Sequence, residues 1–157
     1  MLRVLKKRQP GAGHYTEVWD VGTRQWLPTV IRWAHDNLPR SPSADQYLCL
    51  EAAKHGDIVV VRWARSHGYE WHTLTCATAA ARGHIGFLKA VRAHGCPWDS
   101  NTTYYAMING HKDILYWAYA NGCPLPPNAC YLARQNCPNA ILRWLATNGC
   151  TCGGELH

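Results

Sequence analysis

The stretch Cys76–Thr102, CATAAARGHIGFLKAVRAHGCPWDSNT, decides the fold. It opens on CATAAAR, a run of strong helix formers, and Gly83 stands where a left-handed residue closes that helix. From Ile85 to His94, Phe87, Leu88 and Val91 recur at helical spacing, Lys89 and Arg92 take the opposite face, and Gly95 ends the run. The remaining GCPWDSNT holds a proline stop and then Asp99, Ser100, Asn101 and Thr102 as turn formers and caps for another helix. The stretch therefore predicts helix, tight turn, helix, loop.

Both glycines recur outward at a fixed 27-residue step. Gly56, Gly83 and Gly110 form one ladder, and Gly68, Gly95, Gly122 and Gly149 form a second. A fixed period of this size marks a repeat array, whose units cannot bury their apolar faces alone and must stack on neighbours. Units in register begin at Cys49, Cys76, Thr103 and Cys130. No alternating apolar pattern of the kind a strand needs occurs.

Columns in this register sort residues by role. Ala52, Ala79, Ala106 and Ala133 never vary, as expected where first helices approach too closely for a larger side chain. Val60, Phe87, Ile114 and Ile141, followed by Val61, Leu88, Leu115 and Leu142, read as the second-helix core. Trp63, Trp117 and Trp144 form a column broken by Ala90 and read as seals between units. Trp71 and Trp98 in the loops are expected to fold back over the helix ends.

Six of the eight cysteines follow the repeat, Cys49, Cys76 and Cys130 in one column and Cys96, Cys123 and Cys150 in another. Equivalent positions in stacked helices lie roughly 8–10 Å apart, beyond the Cα separation of a disulfide. The cysteines are thus expected to be small apolar packing residues in a reducing compartment.

The register divides the chain into a basic segment 1–14, expected to be disordered as chain ends often are, a degenerate capping repeat and linker 15–48, four repeats over 49–152 (49–75, 76–102, 103–129 and 130–152) and a tail 153–157. The capping repeat is read from LPTVIRWAHDNLP at Leu27–Pro39, which matches DIVVVRWARSHGY at Asp57–Tyr69 after a shift of 30, placing three extra residues around Pro39–Ser43. In the fourth unit Cys137 and Pro138 replace the Gly-His pair, and Pro138 suits a first helical turn.

At ARGHIGFLKAVRAHGCPWD and INGHKDILYWAYANGCPL the chain resembles ankyrin repeats, in which an alanine-rich first helix, a Gly-His turn and a glycine-ended second helix recur. The short period and the GCPW loop resemble the divergent ankyrin-repeat proteins of giant viruses that infect amoebae. The usual repeat is about 33 residues and opens with Thr-Pro-Leu-His. That tetrapeptide is missing here, so the projecting hairpin fingers are expected to shrink to simple turns. The resemblance implies an all-α helical solenoid of stacked helix-turn-helix units with short linking turns, a protein partner from a host, and a place in the host cytoplasm. It also implies that His84 and His111 serve the hydrogen bonding of their turns.

Composition bounds the function. With 47% hydrophobic and 17% charged residues this is a folding chain, and no apolar run nears the roughly 18 residues that span a bilayer. The basic start lacks the apolar core of a signal peptide, so an intracellular, soluble chain that is neither secreted nor membrane-inserted is expected. A net charge of +6 favours weak association with acidic partners without singling out nucleic acid. Cys150, Cys152 and His157 are the nearest approach to a metal cluster, but they supply three ligands and no fourth. Neither a phosphate-binding glycine loop with its lysine nor a nucleophile elbow is present, so no enzyme activity, cofactor or metal is expected.

Recognition of a protein partner by a non-catalytic scaffold is the expected function, through first-helix faces and inter-repeat loops. Tyr104, Tyr105, Tyr131, Glu70, His72, Asp99 and Asn101 are the candidate contacts. The alternative is a basic stripe of Arg62, Arg65, Lys89 and Arg92 along the second helices, facing phosphates or another acidic surface. A Cys/His metal-binding protein is a third reading. The sequence favours a monomer without fixing the oligomeric state.

Overall fold

The computed structural model describes residue 22 and residues 25–39, 42–136 and 139–148. The expected basic segment 1–14, the tail 153–157, Gly149 of the glycine ladder, the Cys137-Pro138 pair and the Cys150, Cys152 and His157 cluster lie outside these residues. Within them the chain forms nine α-helices and no strand. These are α1 (Pro28–Asn37), α2 (Pro42–His55), α3 (Ile58–Ser66), α4 (Thr75–Ala81), α5 (Ile85–Ala93), α6 (Ser100–Ile108), α7 (Lys112–Ala120), α8 (Ala129–Asn136) and α9 (Asn139–Thr147). The first helix of the first pair, α2, begins at Pro42 and is 14 residues long, so it takes in Pro42 and Ser43 of the Pro39–Ser43 linker and starts ahead of the first unit at Cys49.

The helices pair as the columns require, α2 with α3, α4 with α5, α6 with α7 and α8 with α9. Among the first helices, α4 packs on α2 on one side and on α6 on the other, and α6 meets α8. In the second layer α3 meets α5. Ala52, Ala79, Ala106 and Ala133 are wholly buried along the first-helix line, where a methyl group is all the space admits. Val60, Phe87, Ile114 and Ile141 are buried in the second layer, each large side chain contributing about 1.5–3 kcal/mol. Ala64, Val91, Ala118 and Leu145 extend this buried face one helical turn further.

The turns explain the glycine ladders. At the end of α4 the Gly83 amide donates to the Ala80 carbonyl at 3.3 Å, and the His84 amide reaches back to Ala79 at 3.0 Å. This doubled bond pattern satisfies carbonyls the helix leaves unpaired, and it needs a left-handed residue at Gly83, whose φ is +77°. Asp57 and His111 bond Ala52 and Ala106 in the same way, so the alanine column also supplies the carbonyls that receive each turn.

The start of the array is tied down by polar contacts. Asp57 caps α3, its Oδ1 accepting the Val60 amide at 2.9 Å, while its Oδ2 accepts the Trp26 indole N–H at 3.3 Å. The same indole stacks on His55 with centroids 4.7 Å apart. Along α1, His35 Nδ1 lies 3.0 Å from the Tyr69 hydroxyl of the first repeat. No described helix is long and apolar enough to cross a membrane.

Candidate functional site

The first-helix candidates fall on α6 and α8. Tyr105 is 37% exposed and Tyr131 61% exposed, while Tyr104 is half-buried and meets the Tyr105 ring edge-on at 5.0 Å. Tyr47 on α2, which the unit register does not single out, is 45% exposed and lies against His72 with centroids 5.7 Å apart. The sequence does carry a signal for it. Tyr47, Leu74, Asn101 and Asn128 form one column at the repeat step, and Leu74 is exposed like Tyr47. Counting units from Cys49 leaves Tyr47 ahead of the first unit.

The loop candidates have local duties as well as exposure. Asp99 caps α6 by accepting the Asn101 amide at 2.9 Å, and its other oxygen accepts the Asn101 side-chain amide at 2.9 Å. His72 Nδ1 accepts the Leu74 amide at 3.1 Å, and the ring is held against Tyr47. Glu70 is exposed, with Arg65 Nη1 3.4 Å away. The seven predicted residues therefore split into a tyrosine pair on α6, Tyr131 on the next first helix, Asp99 and Asn101 at the capped start of α6, and two residues in the α3–α4 loop.

The basic stripe is divided by geometry into two columns with different tasks. Arg65 and Arg92, equivalent positions of successive repeats, each donate to a carbonyl of the loop that follows, those of Tyr69 and Cys96. Their guanidinium groups also cover the loop tryptophans, Arg65 over Trp71 at 4.8 Å and Arg92 over Trp98 at 4.1 Å. The loop indoles thus fold onto arginines of the second helices, and each arginine clamps the following loop to its own repeat. Arg62 and Lys89 form the other column and are exposed, with Lys89 5.7 Å from the Trp117 ring.

The turn histidines act between repeats. His84 Nε2 lies 3.2 Å from the Lys54 carbonyl, on the first helix of the preceding repeat. Its bond thus joins one repeat to the one before.

Cys49, Cys76, Cys96 and Cys123 are buried free thiols. Cys130 is disulfide-bonded, which corrects the expectation of free packing thiols throughout. The column argument excludes only pairs within a column, and cysteines of different columns do meet. Cys76 Sγ and Cys96 Sγ are 3.3 Å apart, buried between α4 and the loop after α5. Burial pushes the Cys49 thiol up to about 11, with Arg65 opposing, and pushes Cys123 up to about 12, with the hydrogen bond from the Thr103 backbone opposing. Cys96 is raised as well, by its hydrogen bond with Cys76 and then by burial. Such thiols stay protonated at neutral pH and are poor nucleophiles.

No family model, curated protein or solved structure matches the chain.

Proposed function

We propose that the chain is a solenoid of short ankyrin-like repeats and works as a non-catalytic scaffold that recognises a protein partner through its first-helix faces and adjoining loops. The glycine ladders and the serial packing of α2, α4, α6 and α8 support the architecture. One observation carries the function. Of the five exposed large hydrophobic residues among those described, Tyr47, Tyr105 and Tyr131 are tyrosines on the first helices α2, α6 and α8. Tyrosine offers a large contact area at low conformational-entropy cost, and its hydroxyl tolerates water before binding and hydrogen-bonds afterwards. A surface already held by a packed array loses little further entropy on association.

The basic-stripe alternative is left with fewer residues, because Arg65 and Arg92 are engaged with loop carbonyls and indoles. Affinity capture with the wild-type chain and with a Tyr105→Ala, Tyr131→Ala double variant tests the proposal. The expected result is loss of a captured protein from the variant with thermal melting nearly unchanged, since neither ring is in the core. Capture of the same protein at the same level by both chains would refute the first-helix assignment.

A further inference from the structure

The tryptophan column on the second helices has one gap, and the gap is a cavity. Trp63, Trp117 and Trp144 are all half-buried against the core, and each indole has neighbouring rings against it. His67 and Tyr69 flank Trp63, Trp98 flanks Trp117, and Tyr116 and Tyr119 flank Trp144. The second repeat has Ala90 at this position.

The surroundings of Trp117 show what Ala90 leaves open. That indole meets Trp98 at 5.7 Å and Lys89 at 5.7 Å, both from the preceding repeat. One repeat earlier, the positions of Trp117, Trp98 and Lys89 are held by Ala90, Trp71 and Arg62. All three line one cavity of about 580 Å³ between α3 and α5, floored by Ile58 and Val61. The aromatic wall and the cation that hold an indole in the next repeat are thus present here without the indole. A volume of this size lies within the range of roughly 300–1,000 Å³ typical of ligand sites.

We infer that this cavity receives a tryptophan side chain from an acidic segment of a partner protein, completing the column from outside. The floor and the Trp71 wall suit an indole, which finds offset or edge-on ring packing there. The rim selects the flanking residues. Arg62, Arg65 and His94 line the cavity with no acidic residue among the described lining; Glu70 lies 3.4 Å from Arg65, so Arg62 is the cation left to meet a carboxylate beside the indole. Arg62 is exposed and provides the charge at the mouth, whereas Arg65 is already fixed over Trp71 and to the Tyr69 carbonyl. This site is on the second-helix layer, away from the tyrosines of the first helices, and succeeds or fails independently of them.

The test uses a fluorescein-labelled peptide, Asp-Glu-Trp-Glu-Asp, titrated with the full chain and read by anisotropy. The peptide binds the wild-type chain, its Trp→Ala and Trp→Lys counterparts do not, and Ala90→Trp weakens binding by about tenfold or more by filling the slot. Ala90→Trp also retains or raises the melting temperature, because three other repeats already hold tryptophan there. Arg62→Glu, an exposed change that leaves folding intact, weakens binding severalfold and serves as the second variant should Ala90→Trp not fold. The Tyr105→Ala, Tyr131→Ala variant binds the peptide as wild type does. Absence of binding at millimolar peptide, or unchanged binding by Ala90→Trp or by Arg62→Glu, overturns the inference. Equal competition by free indole-3-acetate also overturns it, since the occupant would then be a small aromatic acid and not a protein segment.

Discussion

The His111 ring stands where a side chain on Gly83 would begin, its Cε1 2.7 Å from the place of a Cβ on that glycine. His84 covers Gly56 in the same way at 2.9 Å. Each of these glycines therefore answers to two demands at once, a left-handed backbone in its own turn and room for the histidine of the next repeat. Gly110, with φ of +76°, answers to the first, and no described residue stands within 4 Å of its Cβ position.

That difference separates the two effects. Gly110→Ala is expected to cost about 1–2 kcal/mol, the penalty of an L-residue in the left-handed region. Gly83→Ala is expected to cost at least about 1 kcal/mol more, from the crowded His111 ring. Urea unfolding of both variants, alone and with His111→Ala, measures it, and the excess should vanish in the His111→Ala background. Equal losses for the two glycines would show that the ring yields freely.

Enlarging the alanine column should be far worse than enlarging an exposed alanine. Ala106 is wholly buried on α6, between α4 and α8, so Ala106→Leu is expected to cost about 1–3 kcal/mol or more. Ala93→Leu, at an exposed position closing α5, should change stability by no more than about 0.5 kcal/mol. Denaturant midpoints of the two variants give the comparison.

Asp57 joins two segments through its two oxygens. Asp57→Ala removes the cap of α3 and the acceptor of the Trp26 indole, with an expected loss of about 1–2 kcal/mol. Asp57→Asn keeps an oxygen for the cap and should recover most of that loss. If the two variants unfold at the same denaturant concentration, capping is not the source of the stability.

The buried thiols set a pH limit. Unfolding restores Cys49 and Cys123 to the ordinary value of 9.0 from about 11 and about 12. Between pH 9.0 and about 11 the unfolded chain releases protons that the folded chain retains, so it binds fewer and stability falls as pH rises. The expected slope approaches about 1.4 kcal/mol per pH unit for each thiol. Below pH 8 both states hold these protons and the thiols contribute no slope. Chemical denaturation across pH 7–11 under reducing conditions follows this, and Cys49→Ala should reduce the fall above pH 9.

The residues legible in the sequence are those whose role repeats. The alanine column, the second-helix core and the glycine turns each recur at the same step; the four alanines are buried, the core column is buried except for the half-buried Leu142, and the six ladder glycines among the described residues all have positive φ. The candidate site is legible only in part. Tyr105 and Tyr131 stand out as long aromatic side chains on first helices, while Tyr47 sits just before the first unit boundary. Arg65 and Arg92 look like a surface stripe, since spacing locates a charge on a helix face without revealing that a loop folds back to take it. The cysteines mislead for a related reason. Column spacing governs like positions in successive repeats, whereas Cys76 meets Cys96 from a different position in the next helix-loop segment.

The helix pairs, their turns and the order in which they recur follow from the amino-acid order alone, because backbone preference and apolar period are local properties copied from unit to unit. Packing settles the rest: which thiols touch, which arginines are engaged, why histidine needs glycine opposite it, and that a missing indole at Ala90 leaves a cavity. Those depend on distances between side chains of different repeats. Such distances arise only when one unit has stacked on the next.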